Sequence, residues 1–495
     1  MNILFPVSEC VPFAKTGGLA DVAQALPRAL RRLGHSVHVV MPLYRRVWDA
    51  GVPLVKPSRF LPVPLGSGRV HTEVWQARDT AAGHGVYFLR YDPFYSRPGL
   101  YQAMDSEYPD NDQRFILLCR GALELGKQLG LNWDMVHVHD WHTGLIPAYL
   151  KTLYAQEPAY RRAHSLMTIH NLAYQGHFPP KSFDLTGLPP GLFTPDGLEF
   201  YGGLNFLKGG LMFADAISTV SPTYAREIQT PEFGCGLDGV LRHRRADLSG
   251  ILNGVDYDLW DPARDPHLPV SYGPESPEGK QQVKTALLHE LGLYPLERAP
   301  LMGMVSRLDD QKGLDLVAEA MEKIMQLDVQ LVMLGVGAKK HHDFFLKMKA
   351  KFPRKFALVL EFNDPMAHRI YAGSDLFLMP SLYEPCGLGQ LISLRYGTIP
   401  LVRHTGGLAD TIVNYQDGQG NGFSFKAYSS EALLLSVRRA LEVYHRKSEW
   451  HSLVQTAMKN DFSWDRSARE YEKLYQQLAN QAAPRKGKRA SQAEA

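Results

Sequence analysis

Short apolar runs that end in Gly, Ser, His or Asp, each followed by a longer amphipathic segment, recur along this 495-residue chain. NILFPV (2–7), VHVVMP (37–42), MVHVHD (135–140), LMTIH (166–170) and AISTVS (216–221) form one group; LMGMVS (301–306), LVMLG (331–335), ALVLEF (357–362), LFLMPS (376–381) and IPLV (399–402) form a second. Apolar runs of this length, alternating with helical periodicity, predict parallel strands crossed over by helices. Between the groups lies NGVDYDLWDPARDPHLPVSYGPESPEG (253–279), with prolines at 262, 266, 269, 274 and 277 and no sustained periodicity, the composition of a linker. The pattern therefore predicts an α/β chain of two doubly wound domains, 1–255 and 280–460, joined by a linker over 256–279. A helix over 461–480, capped at Ser463 or Asp465, either closes the second domain or crosses back to the first, and 481–495 is a solvated basic tail. Ligands of doubly wound sheets bind beyond the carboxyl ends of the strands, so function is expected in the loops that follow them.

Composition narrows the class. The length suits two or three domains, and a charged fraction of 21% with 11% aromatic residues excludes wholesale disorder, collagen and coiled coil. Lys plus Arg number 54 against 51 Asp plus Glu, a net +3 that the last twelve residues carry alone through Arg485, Lys486, Lys488 and Arg489 against Glu494. The rest of the chain is balanced, which argues against a broad phosphate-tracking surface and hence against a nucleic-acid partner. Cys10, Cys119, Cys235 and Cys386 lack CxxC spacing, as expected of reduced cytosolic thiols rather than a zinc site or disulfide framework. MNILFPVSEC has no basic leader and no apolar run reaches membrane-spanning length, so a cytoplasmic protein without a membrane partner is expected.

The loops after the strands carry candidate chemistry. In SECVPFAKTGGLADVAQALPRAL (8–30), Lys15, Gly17 and Gly18 directly precede an apolar-periodic helix. Glycines there let backbone N–H groups approach an anion at a helix N-terminus while the lysine adds a point charge; the plainer reading is a Gly pair that only turns the chain. The motif returns as RHTGGLADTI (403–412), which shares TGGLAD with 16–21 and brings Thr405, Gly406 and Gly407 to a second strand-to-helix loop. Arg307 and Lys312 in VSRLDDQKGLDLV (305–317) are five residues apart, spaced to grip one diphosphate, although solvated surface charge has the same spacing. Glu384 in SLYEPCGLGQLISLRYG (381–397) follows a strand, where a carboxylate either caps the next helix or acts in a sugar site.

Two patterns suggest metals. HVHDWH (137–142) resembles a metallo-hydrolase zinc motif with two positions exchanged, and His137 and His139 share a strand face. Asp110-Asn111-Asp112 and Asp256-Tyr257-Asp258 have the form of a DxD metal motif, but neither follows a clear strand and both read as turns.

Taken together, KTGGLADV (15–22), HVHDWH, IHNLAYQGHF (169–178), STVSPTYAREI (218–228), ILNGVDYDLWDP (251–262), VSRLDDQKGLDLV, YEPCGLGQL (383–391) and HTGGLADT (404–411) resemble the bacterial glycogen synthases of glycosyltransferase family 5, from residue 1 to about 475. The resemblance implies a GT-B architecture, two Rossmann-like domains facing a central cleft, and transfer of glucose from ADP-glucose to the non-reducing end of a glycogen or maltooligosaccharide acceptor with retention of configuration. It implies no cofactor and no metal. Carried onto this chain, it implies that Lys15, Gly17 and Gly18 contact the donor's diphosphate and glucose and that Arg307 and Lys312 hold the leaving diphosphate. By the same resemblance Glu384 would bind the donor sugar, and Thr405, Gly406 and Gly407 would line the sugar and phosphate pocket. The resemblance likewise implies that Asp140 and His170 lie across the cleft beside the glucose, with Asn171, Tyr174 and Cys386 as candidates for sugar or acceptor contacts. Retention by a front-face route, in which the leaving phosphate deprotonates the incoming hydroxyl, is the expected mechanism over a covalent intermediate on Glu384.

The chain departs from related patterns in two places. Many retaining GT-B enzymes carry a second Glu eight positions after the first, where this chain has Ile392. After VMLGVG (332–337) it reads AKKHHDFF where an acidic residue commonly follows, and Lys339 and Lys340 there are either phosphate contacts or exposed charge. An α-glucan phosphorylase or nucleotide-sugar epimerase on the same architecture, and a catalytically silent glucan-binding protein, are the competing expectations.

Overall fold

The apolar runs become strands covered on both faces. Ile3, Leu4 and Phe5 in strand Asn2–Pro6 are fully buried, as is every residue of Gln330–Leu334, the condition under which a strand needs no polar alternation. The computed structural model describes residues 1–481 except 57–59, 79–84, 104–105, 277 and 297. The basic tail thus lies, from residue 482, outside the described residues.

The chain divides into two compact units: Met1–Ser218, Gly234–Ser249 and the chain from Ser467 form the first, Thr219–Phe233 and Gly250–Arg466 the second. Around the centre of the first unit's ten-stranded sheet the order is Ala216–Thr219, His164–Ile169, Met135–His139, Asn2–Pro6, Ser36–Pro42, Val86–Arg90. Asn2–Pro6 pairs in parallel with both Ser36–Pro42 and Met135–His139. Chain order reverses between these two neighbours, the topological switch point at which such sheets bind ligands. One edge is extended by antiparallel pairing of Gly68–Ala77 with Val86–Arg90 and with Phe60–Leu65.

The second unit repeats the plan in a six-stranded sheet: Phe356–Val359, Gln330–Leu334, Leu301–Val305, Leu376–Met379, Ile399–Arg403, Phe423–Phe425, all pairs parallel. In chain order this is 3-2-1-4-5-6, the dinucleotide-fold sequence of strands. Its switch point lies between Leu301–Val305 and Leu376–Met379.

The structure differs from expectation around the domain boundaries. Thr219–Phe233, inside the span expected for the first domain, packs in the second unit. Ser221 Oγ donates to the Pro385 carbonyl at 2.7 Å, and the Asp410 carboxylate accepts from both Thr223 N and Thr223 Oγ1 at 2.7 Å. The proline-rich stretch is built into the second unit's core instead of spanning free. Tyr272 is 2% exposed and donates to the Tyr396 carbonyl at 2.8 Å, and Asp265 accepts from Tyr396 Oη at 2.5 Å and bonds His368 Nδ1 at 2.7 Å. Proline disrupts periodicity without preventing burial, which is why this segment reads as open linker.

The last described helix runs Trp464–Gln481 and belongs to the first unit from Ser467. It buries Ala468, Tyr471, Tyr475 and Leu478, and Tyr475 Oη hydrogen-bonds His137 Nδ1 at 2.7 Å. No helix among the described residues is long and apolar enough to cross a membrane.

Candidate functional site

Each unit gathers candidate residues in the loops beside its own switch point. In the first unit the loop after Asn2–Pro6 leads into helix Gly18–Arg32, whose first turn is the Gly-rich segment. Its Thr16 and Gly17 amides are engaged. The Glu9 carboxylate accepts from Thr16 N at 2.5 Å, Thr16 Oγ1 at 2.8 Å, Gly17 N at 3.3 Å and Tyr101 Oη at 2.9 Å. Burial pushes the Glu9 carboxyl above its ordinary range, opposed by these hydrogen bonds. Gly17 itself is extended, at φ −150°, and a Cβ there would meet nothing within 4 Å. Lys15 Nζ lies 2.8 Å from Asp21 Oδ1 with its side chain 37% exposed.

The loop after Met135–His139 presents Asp140 at φ 51°, a conformation rare for a non-glycine residue and costly unless its surroundings enforce it. They do: Asp140 Oδ1 accepts from His170 N at 2.7 Å and Asn171 N at 3.4 Å, tying the ends of two adjacent strands. The carboxyl is buried and thereby pushed up to about 7. Burial brings the His170 imidazole down to about 3, so it is neutral, with Nε2 3.0 Å from His139 Nδ1. Tyr174 is 51% exposed, and Gly176, at φ 62°, follows. A Cβ on Gly176 would lie 2.3 Å from the Trp141 ring, so that glycine is required by close approach.

The zinc pattern resolves into packing. His137 bonds Tyr475 and, through Nε2, Thr168 Oγ1 at 2.6 Å; His139 faces His170; His142 stacks on Trp141. Among the described residues no group of three or more His, Cys, Asp or Glu side chains is arranged to hold a metal ion. Of the DxD patterns, Asp110 pairs with Arg97, Asp112 accepts from Ser182 Oγ at 2.6 Å, and Asp256 accepts from Asp258 N at 3.0 Å as a turn.

In the second unit Glu384 and Lys312 come together across the switch point. Lys312 Nζ lies 2.8 Å from Glu384 Oε2 and 3.0 Å from Oε1, and Ser381 Oγ donates to Oε2 at 2.9 Å. Glu384 is 6% exposed. A charge so little exposed is costly to bury unless an opposite charge and a hydrogen-bond donor meet it, as Lys312 and Ser381 do here. Gly313, at φ 68°, lets the Lys312 turn approach the other loop: a Cβ would sit 2.1 Å from the Pro380 carbonyl oxygen. Arg307 is half exposed, 3.3 Å from Asp309 and 3.4 Å from Gln311 Oε1. Lys339 and Lys340 pair with Asp343 and Asp310 at the surface.

The second Gly-rich turn packs directly beneath Glu384. Gly406 has φ 45°, and a Cβ on it would lie 1.9 Å from the Glu384 carbonyl oxygen; Gly407 N donates to that oxygen at 3.0 Å. Glu227, which sequence reasoning missed, accepts from Thr405 Oγ1 and Gly406 N, both at 3.0 Å. Glu9 was missed likewise. Cys386 is buried, its thiol pushed up to about 12 by burial, and offers its carbonyl to Gln390 Nε2 at 3.0 Å.

Residues 2–243 match the family model described as "Starch synthase catalytic domain", and residues 295–453 match "Glycosyl transferases group 1". The chain is 48% identical over 477 residues to a glycogen synthase of Syntrophotalea carbinolica, covering 96% of this chain and 98% of that one. It is 49% identical over 483 residues to a glycogen synthase of Anaeromyxobacter sp., covering 97% and 100%. Among solved structures, the catalytic domain of starch synthase IV from Arabidopsis thaliana, bound to ADP and acarbose, superposes with a TM-score of 0.89 at 34% identity, covering 97% of this chain and 99% of that chain.

Proposed function

The chain belongs to the glycogen synthase family of glycosyltransferases, and from that membership we propose that it transfers glucose from ADP-glucose to the non-reducing end of an α-1,4-glucan, with retention of configuration and release of ADP. The identity to glycogen synthases, which runs over 96% of the chain, carries this reading. Its fold is the α/β GT-B type with two Rossmann-like domains. The domain boundaries we propose follow the two compact units.

Roles follow from chemistry. In the second unit, Arg307 and Lys312 neutralise the diphosphate as it departs, with Thr405, Gly406 and Gly407 shaping the pocket. Glu384 binds the donor's sugar hydroxyls. Both of its oxygens face Lys312 and one also accepts from Ser381, which lowers their nucleophilicity and favours the front-face route, in which the leaving phosphate oxygen takes the proton of the acceptor hydroxyl. In the first unit, Lys15, Gly17 and Gly18 attend the donor, and Asp140 and His170 attend the glucosyl group. A neutral His170 can donate or accept a hydrogen bond without opposing positive charge developing on the sugar. Asn171, Tyr174 and the Cys386 backbone serve sugar or acceptor contacts. We place the reaction in the cytoplasm, where the four free thiols are at home.

The test is nucleoside diphosphate release from ADP-glucose and from UDP-glucose, with and without glycogen, in the presence of a metal chelator. Glycogen-dependent ADP release that survives chelation is the expected result. No release from either donor while glycogen still binds would move the chain to a glucan-binding role.

A further inference from the structure

The sequence TGGLAD occurs twice, and both times its turn is occupied by a carboxylate of the same unit. In the first copy Glu9 binds Thr16 Oγ1 at 2.8 Å and Gly17 N at 3.3 Å. In the second, Glu227 binds the corresponding atoms, Thr405 Oγ1 at 3.0 Å and Gly406 N at 3.0 and 3.2 Å. The two glutamates reach their turns along unrelated paths: Glu9 lies 7 residues from its threonine, Glu227 lies 178 residues from its own, at the end of helix Pro222–Glu227. Local duplication does not account for that. The shared requirement is an acceptor for one hydroxyl and one amide that the turn leaves unsatisfied.

In the second unit this contact lies one residue from the Glu384 backbone. Gly406 is held in the left-handed region, and the next amide, Gly407 N, is thereby directed at the carbonyls of Glu384 and Pro385 at 3.0 and 3.2 Å. Gly406 leaves no slack, since a single added carbon would stand 1.9 Å from the Glu384 carbonyl oxygen. The position of the Glu384 main chain is thus set by the turn, and the turn is set by Glu227.

We infer that Glu227 is a positioning residue for the glucosyl transfer, holding the Thr405–Gly407 turn so that Glu384 presents its carboxylate to the donor sugar; the inference rests on the function proposed above. The alternative, that the Glu227 carboxylate merely occupies a seat the donor's phosphate must take, predicts tighter nucleotide binding once that carboxylate is removed, where positioning predicts no such change.

The experiment uses the full chain with glycogen and ADP-glucose, measuring kcat, KM and the Kd of ADP for the wild type, Glu227→Ala, Glu227→Gln and Thr405→Val. An unsatisfied buried donor weakens a local structure enough for about a tenfold effect or more. Glu227→Ala is expected to lower kcat about tenfold or more while ADP affinity and the KM for ADP-glucose stay within about threefold. Glu227→Gln, whose amide oxygen still accepts from both groups, is expected to restore kcat to within about twofold. Thr405→Val, which removes one of the two donors and spares Glu227, is expected to lower kcat about threefold with the same split, and it decides the matter if the alanine variant does not fold. An active wild type with kcat unchanged in Glu227→Ala or in Thr405→Val overturns the inference alone. So does ADP binding about tenfold tighter in Glu227→Ala or Glu227→Gln, or a glutamine variant as slow as the alanine one. A wild type that releases no ADP overturns the proposed function, and this inference with it.

Discussion

The ammonium of Lys312 lies 2.8 and 3.0 Å from the two carboxylate oxygens of Glu384, 72 residues away in the chain. Each neutralises the other at a site with little exposure to water, so the two side chains are one electrostatic unit, and removing either leaves a poorly solvated charge behind.

Glu384→Gln and Lys312→Ala should therefore differ in kind. The glutamine variant keeps an acceptor for Lys312 and frees its charge for the diphosphate. Turnover should fall about 10²–10³-fold with the Kd of ADP within about threefold of wild type. Lys312→Ala should weaken ADP and slow transfer together, and also lower the melting temperature, because Glu384 loses its counter-charge. Calorimetric ADP titration alongside ADP-release kinetics separates the two; equal losses of ADP affinity would remove Glu384 from the sugar.

Asp140, pushed up to about 7 by burial, should set the acid limb of the rate profile. Below pH 7 its carboxyl is protonated; above it the ionised form would face the glucosyl group in the role proposed for it. Turnover of ADP-glucose should rise through about pH 7, and Asp140→Asn should flatten that limb at a rate lower by about 10²-fold. Stability runs the other way. A carboxyl raised above its unfolded value contributes stability below that unfolded value and loses it as pH rises through the folded one. Asp140→Asn should thus gain melting temperature relative to wild type at pH 8 but not at acidic pH. A thermal melt series across pH checks the sign.

Gly17 and Gly406 hold the same place in the repeated TGGLAD but differ in surroundings. Gly406→Ala places a Cβ 1.9 Å from a main-chain oxygen at φ 45°, whereas Gly17→Ala meets nothing within 4 Å at φ −150°. The first should lower stability by about 3 kcal/mol or more and abolish turnover, and the second should change stability by about 0.5 kcal/mol at most. If Gly17→Ala folds normally yet loses activity, the donor itself must approach that Cα.

Tyr475→Phe should cost about 1–2 kcal/mol, because it leaves His137 Nδ1 buried without a partner. Denaturant unfolding of the full chain measures it.

The strands could be read from the chain because runs such as NILFPV and LVMLG are buried on both faces and need no tertiary information to be recognised. The loops carrying Lys15, Asp140, Lys312 and Glu384 follow from the strand ends. What pairing occurs inside those loops does not. Lys312 reads as a phosphate ligand and Glu384 as a cap or sugar carboxylate, yet their contact depends on two strands lying side by side. The second Gly-rich turn reads as an open anion seat because its amides are local, while the carboxylate that fills it is not: nothing near Thr405 announces Glu227. The proline-rich stretch misleads for a related reason, since Tyr272 and Asp265 are anchored by Tyr396 and His368 from far along the chain.

The helix Trp464–Gln481 has a consequence for biosynthesis. His137 receives its Tyr475 partner, 338 residues further along, only after the chain between them has been made. The second unit's sheet, Leu301–Phe425, has by then been translated in full. The first unit is therefore closed only after the second unit's sheet has been made, and until then it must hold a histidine without its Tyr475 partner and an uncovered apolar face.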